Sequence, residues 1–339
     1  MKRIALALAL AGTVIFASTV FLRDGEVRAM NVQVNVKDLP EHGIRIIAAS
    51  DSSFEERAES FFKGQPRTIV DRVKPVSAIL ENTGSLAIVG ICIKWDILKR
   101  DGTTFSRPVS DVNPRALMDG EPKLIQTTEG AAIAPHSTRF ISVLGSARAG
   151  QQLDLSKSWI SFRGSSTEMQ EFRNALAQGN IDDAFNLSAI GKVLAQATAI
   201  TISVELVFFE DATFVGDDKS GFFEKVTADI NAQYDLATEV ANAQKQGRTS
   251  EEICSQVSQI AAAYSPTPDA SPLIASNTVK QTSEEAVESG ARRVFDAYNR
   301  SKALYARAFI GMRDTLGARE AISEKLRLLD RPRKQLKKK

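Results

Sequence analysis

Ala87-Ile88-Val89-Gly90-Ile91-Cys92-Ile93-Lys94-Trp95-Asp96-Ile97 is the stretch whose patterning decides the fold class. Apolar side chains fall at Ala87, Val89, Ile91, Ile93, Trp95 and Ile97, so a strand puts them on one face and turns Lys94 and Asp96 to the other. Asp101-Gly102 follows, a dipeptide that supplies the positive φ matched to strand twist, and Thr103-Thr104-Phe105 starts the return strand. Upstream, residues 76–80 run into Glu81-Asn82-Thr83-Gly84, a second turn between apolar strands. Period-two patterning recurs at Val32, Val34 and Val36, at 140–144, at 159–162, and at 200–208, where Thr201, Ser203 and Glu205 interleave with apolar residues.

Strands separated by Gly, Pro, Asn and Asp turns, with no helices placed to cross over between them, predict an antiparallel sandwich. The unit 79–105, with its glycine turn, Trp-bearing strand and Asp-Gly hairpin, resembles a hairpin unit of immunoglobulin-like bacterial surface domains. The resemblance covers those residues alone and implies an architecture, with no functional residue carried across. Immunoglobulin domains pair two cysteines around their tryptophan, whereas Cys92 is alone in this half of the chain. Two helices are predicted to interrupt the strands. One spans 53–62, with Phe54, Ala58, Phe61 and Phe62 at near-helical spacing; the other spans 167–177, with Met169, Phe172 and Leu176 on one stripe and Thr167 as N-cap. The second belongs to an insertion, 164–198, placed to carry binding residues or to cover a sheet edge.

Past Gly216 the apolar period becomes three and four. Phe223, Val226, Ile230, Tyr234, Ala237 and Ala241 predict a helix that stops at Gln246-Gly247. Thr249-Ser250-Glu251-Glu252 predicts the cap and acidic first turn of another, running to about Tyr264. Three prolines between 265 and 272 break the pattern. A last helix is predicted from 283 to about 329, with Val287, Ala291, Val294, Tyr298, Tyr305, Ala308, Met312 and Leu316 as a seam broken once at Ser301. That seam fits packing against 223–264, with self-association as a coiled coil the alternative. The fold class is therefore α+β: an immunoglobulin-like antiparallel β-sandwich over 30–216, a helical region over 217–331, and a basic tail at 332–339.

Met1-Lys2-Arg3 precedes an uncharged run over 4–22, and Val27 and Ala29 stand at the spacing a signal peptidase accepts. The expectation is an export signal over 1–29, cleaved after Ala29, with a retained membrane anchor as the alternative. Either reading puts the rest of the chain outside the cytoplasm, periplasmic, secreted or membrane-anchored. Removing 1–29 leaves 39 basic and 39 acidic residues; six of the basic ones lie in 331–339, so the remaining body carries 33 against 39. No folded basic face for nucleic acid is implied, and the tail reads as a solvated end. Cys92, between Ile91 and Ile93, reads as a buried free thiol, and its pairing with Cys254 is undetermined.

The sequence contains no nucleophile elbow, zincin helix, phosphate-binding loop or dinucleotide fingerprint. Only His42 and His136 are available, and His136 beside Ser137 cannot share a strand face with it. Glu210, Asp211, Asp217 and Asp218 cluster around one turn. Such a cluster can cap the next helix, bind calcium or act as an acid and base pair, ranked here in that order. The functional expectation is a non-catalytic binding or structural module of the cell envelope, needing no cofactor or metal, whose partner is a protein or an envelope polymer. A carboxylate-dependent extracytoplasmic hydrolase using the 210–218 acids is the alternative.

Overall fold

The computed structural model describes residues 32–63, 70–71, 73–113, 116–117, 133–143, 145–148, 166–263, 283–330 and 334–339. Its strands are β1 (Gln33–Lys37), β2 (Ile44–Ala48), β3 (Ser77–Asn82), β4 (Ile88–Lys99), β5 (Thr104–Val112), β6 (Ser137–Ser142), β7 (Gly145–Arg148), β8 (Ala197–Phe209), β9 (Thr213–Gly216) and β10 (Lys337–Lys338). The helices are α1 (Phe54–Phe62), α2 (Ser166–Ala177), α3 (Ile181–Leu187), α4 (Ala189–Leu194), α5 (Phe222–Lys245), α6 (Ser250–Ala263), α7 (Ser283–Leu316) and α8 (Ala318–Leu326). Residues Asn31–Lys339 make one unit, and its class is mixed α+β.

One sheet runs β10-β9-β8-β4-β5, with β1 also on β8; the other runs β2-β3-β6-β7. The Asp-Gly hairpin forms as patterned, with Gly102 at φ 80° and β4 paired antiparallel to β5. The expectation of wholly antiparallel pairing fails in two places. β1 pairs with β8 in parallel, and β10 pairs with β9 in parallel. Strand alternation fixes which face a side chain takes but says nothing of a distant partner's direction.

Of three irregularities in the β4–β8 ladder, two organise the larger sheet. Between the Cys92–Leu206 and Ile93–Val204 pairs, Glu205 is an extra residue on β8, a bulge that bends the strand and re-aims its side chains. N-terminal to it, β8 alternates between buried and partly exposed positions; from Val204 to Phe209 every residue is buried. On the outer edge of β8 the partner changes at the same place. Residues 199–203 pair with β1, and 206–208 pair with β9. The second irregularity, around Val89, shifts strand parity, so Ala87 and Val89 pack with Cys92, Leu206 and Phe208. They do not continue the Ile91, Ile93, Trp95, Ile97 face that unbroken alternation predicts.

Helix α5 covers the continuously buried half. Phe222, Val226, Ile230 and Tyr234, four residues apart, meet Leu206 and Phe208 in one core cluster. Its later residues Leu236, Val240 and Ala243 belong to a second cluster with Ile253, Cys254 and Val257 of α6, Phe309 of α7 and Ile322 of α8. At about 1.5 Å per residue α5 is about 36 Å long, enough to reach from the sheet through the helical bundle. Elsewhere α1 lays Phe61 on Phe140 of β6, ring centroids 5.0 Å apart.

Helix positions depart from expectation in three respects. Thr167 lies inside the first turn of α2, which begins at Ser166, and so is not its N-cap. The last helix, expected as one element to about 329, ends at Leu316 and a new one starts after Gly317, whose φ is 97°. The expected seam slips, because Ala308 and Leu316 are exposed while Ala303, Ala306 and Phe309 are buried; small residues gave the periodicity too little contrast to fix its phase. Thr249 caps α6 as expected: the Glu252 amide donates to Thr249 Oγ1 at 3.2 Å and the Thr249 amide to Glu252 Oε2 at 2.7 Å. The export segment, the strand at 159–162 and the proline run at 265–272 lie outside the described residues.

Gly216 is the residue that lets β9 sit beside the bulge. Its φ is 115°, and a Cβ there would stand 2.2 Å from the Glu205 carbonyl oxygen. Gly102 shares positive φ but has open space around it. Gly102→Ala should therefore cost only the conformational penalty of about 1–2 kcal/mol. Gly216→Ala should cost that and a further ~1–3 kcal/mol for the overlap, read as the difference between the two urea midpoints.

Candidate functional site

The acidic turn is divided among separate tasks. Glu210 Oε1 accepts from the Ala87 amide at 3.0 Å, and the Glu210 amide donates to the Ala87 carbonyl at 3.0 Å, closing the end of the β4–β8 ladder. Asp211 Oδ1 accepts from the amide and hydroxyl of Thr213 at 3.0 and 2.6 Å, a side-chain turn that starts β9. Burial pushes the Asp211 carboxyl up, but the Thr213 hydrogen bonds and Lys339 outweigh it and hold the group below its ordinary range. Asp217 pairs with Lys219 at 3.1 Å on the open surface. Asp218 places Oδ1 and Oδ2 each 2.8 Å from the amides of Phe222 and Phe223, so one carboxylate satisfies two orphan donors at the start of α5. The cap thus falls to Asp218 and not to Asp217.

Sequence patterning passed over Glu205. It reads as one of several outward polar residues on β8, yet the start of α5 lies over this end of the strand and leaves it 4% exposed. Ser220 Oγ hydrogen-bonds to Glu205 Oε2, and Lys94 Nζ lies 3.7 Å from Oε1. The same ammonium is 3.3 Å from Asp96 Oδ1, which also accepts from Ser106 Oγ. The signal that could have found this group is Lys94, Asp96 and Glu205 at non-apolar positions of two long strands. Parity alone sets Glu205 on the face of Thr201 and Ser203, but it does not show that the start of α5 covers that face there.

Cys92 borders this group. Burial, followed by the charges of Glu205 and Asp218, pushes its thiol up to about 12, so it stays protonated and is a poor nucleophile. Cys254 is likewise a buried free thiol. His136 sits at φ 55° in the turn before β6. Among the described residues, no three His, Cys, Asp or Glu side chains converge as a metal site requires.

C-terminal to the Glu205 bulge the sheet is sealed by α5; N-terminal to it a polar face stays open. Lys94 and Asp96 of β4, Ser106 of β5, Thr201 and Ser203 of β8, and Asn35 of β1 lie in register across four neighbouring strands and are partly or fully exposed. A polar, hydrogen-bonding platform about four strands wide is what a flat partner requires.

The tail departs from the solvated end its charge run suggests. Lys337 donates its amide to Ala212 O and Lys339 to Phe214 O, both at 3.0 Å. Lys334 Nζ reaches the Glu210 carbonyl at 3.1 Å, Lys339 Nζ stands 4.3 Å above the Phe209 ring, and Leu336 packs against the sheet–helix core. The edge of β9 supplies unpaired backbone groups, and the tail satisfies them.

Compared with known proteins, the chain matches no family model, no curated protein and no solved structure.

Replacing Asp218 with Ala should cost ~0.5–2 kcal/mol, the usual price of a lost cap. Asp217→Ala should stay within about 0.5 kcal/mol. Added calcium should leave the melting temperature of the wild type and both variants unchanged; a calcium-dependent rise in the wild type that Asp218→Ala abolishes would identify a metal site instead.

Proposed function

We propose that the chain is an exported, non-catalytic binding or structural module of the cell envelope. Its strand-rich part, 30–216, is taken as an immunoglobulin-like sandwich, and 217–331 as its helical region. The observation supporting the binding reading is the open polar face of the larger sheet, Asn35, Lys94, Asp96, Ser106, Thr201 and Ser203. A protein or an envelope polymer is the kind of partner such a face suits.

The hydrolase reading has no comparable support. Glu210, Asp211 and Asp218 each hold backbone amides and Asp217 faces solvent beside Lys219, so no two of them are left to act as acid and base. Export rests on residues 1–29, and membrane association through a retained anchor belongs to the same proposal. Among the described residues no helix is long and apolar enough to cross a membrane. Self-association is proposed as a secondary property of α7, which exposes Phe295 and Leu304.

Crosslinking in intact cells tests the reading. The wild type should be recovered from the envelope fraction with Met30 first and with a discrete crosslinked partner. The triple variant Asn35→Ala, Asp96→Ala, Thr201→Ala should keep its far-ultraviolet spectrum and lose that partner. Recovery only in the cytosol, or an unchanged crosslink in the variant, would remove the proposal.

A further inference from the structure

The ends of α5, α6 and α8 line an open cavity of about 520 Å³ that shares no residue with the polar sheet face. Its lining includes three guanidinium groups, Arg248, Arg319 and Arg327, against one carboxylate, Asp330. Its floor is apolar, with Ile253 and Ile322 2% and 4% exposed.

Two of the cations have ordinary partners. Arg248 donates to Gln256 Oε1 at 2.8 Å, and Arg327, just past the end of α8, pairs with Glu324 at 2.7 Å. A cation at a helix C-terminus is favoured by the dipole. Arg319 is different, because it occupies the first turn of α8, where the dipole disfavours positive charge. Glu320 in the same turn does not serve it: its Oε2 folds back over Gly317, 3.1 Å from where a Cβ on that glycine would stand. Among the described residues Arg319 has no hydrogen bond or ion pair. It is an unpaired guanidinium, in a position that costs stability, lining a cavity with a net charge of two positives.

We propose that this cavity binds a phosphomonoester, its dianion held by Arg319 with Arg248 and Arg327 and its carbon substituent laid on Ile253 and Ile322. The planar guanidinium fork matches phosphate oxygens bidentately, and a dianion balances the lining charge. The ester's source is either a soluble metabolite-sized molecule or a lipid headgroup. The assignment is independent of the cellular location proposed above.

Calorimetric titration of the full chain with phenyl phosphate and with inorganic phosphate tests the site, alongside flotation with phosphatidylcholine vesicles containing phosphatidic acid. Phenyl phosphate should bind more tightly than inorganic phosphate, because only it reaches the apolar floor. Arg319→Gln should weaken it about tenfold or more, while Arg293→Gln, on the exposed surface of α7, should not. Arg319→Gln replaces an exposed side chain, and an unchanged melting temperature checks that it folds. Phenyl phosphate binding lost in Arg319→Gln assigns a soluble ester; vesicle flotation alone, lost in the same variant, assigns a lipid headgroup. Failure of both probes to bind, or binding that Arg319→Gln and Arg293→Gln weaken equally, would overturn the proposal.

Discussion

One extra residue in β8 governs the arrangement of this protein. Glu205 interrupts the β4–β8 register, and three changes coincide there. The edge partner of β8 passes from β1 to β9, burial passes from alternating to continuous, and the cover passes from open polar surface to helix α5. A bulge is suited to this role because it bends and twists a strand without ending its pairing. Leu206 and Phe208 can then face α5 while Ile200 and Ile202 serve the opposite core. Burying Glu205 offsets part of that gain, and the Ser220 and Lys94 contacts limit the cost.

Much of the secondary structure was legible because it follows from local chemistry. The Asp101-Gly102 hairpin, the Thr249 capping box and the change of period after Gly216 depend on residues adjacent in sequence, and all three stand in the structure. What was hidden depends on distant partners. The parallel pairing of β1, the seating of Lys337–Lys338 on β9 and the burial of Glu205 beneath the start of α5 each need a neighbour that no local window contains. The break at Gly317 was missed for another reason: helix-forming residues resume at once after it, as Ala318-Arg319-Glu320-Ala321, so a single glycine leaves little mark on the pattern.

The candidate site shows the same division. Four carboxylates close together in sequence proved to be bound one at a time to backbone amides or to a neighbouring lysine, while Lys94, Asp96 and Glu205, spread over more than a hundred positions, came together. Sequence proximity of like charges reflects turn chemistry here, since Asp and Glu satisfy the free amides of strand ends and helix starts. Charge was similarly misleading at the C-terminus. Six basic residues suggested a free end, but the β9 edge and the Phe209 ring give the last of them a seat.

The central claim is that the segment after the bulge joins sheet and helices into one cooperative body. Native-state hydrogen exchange of wild type and Phe208→Ala tests it most directly. Removing the Phe208 ring should cost about 3–5 kcal/mol, and amides of both β8 and α5 should lose protection by the same free energy. If protection falls in β8 alone while α5 exchanges as before, strands and helices open separately and the bulge does not join them.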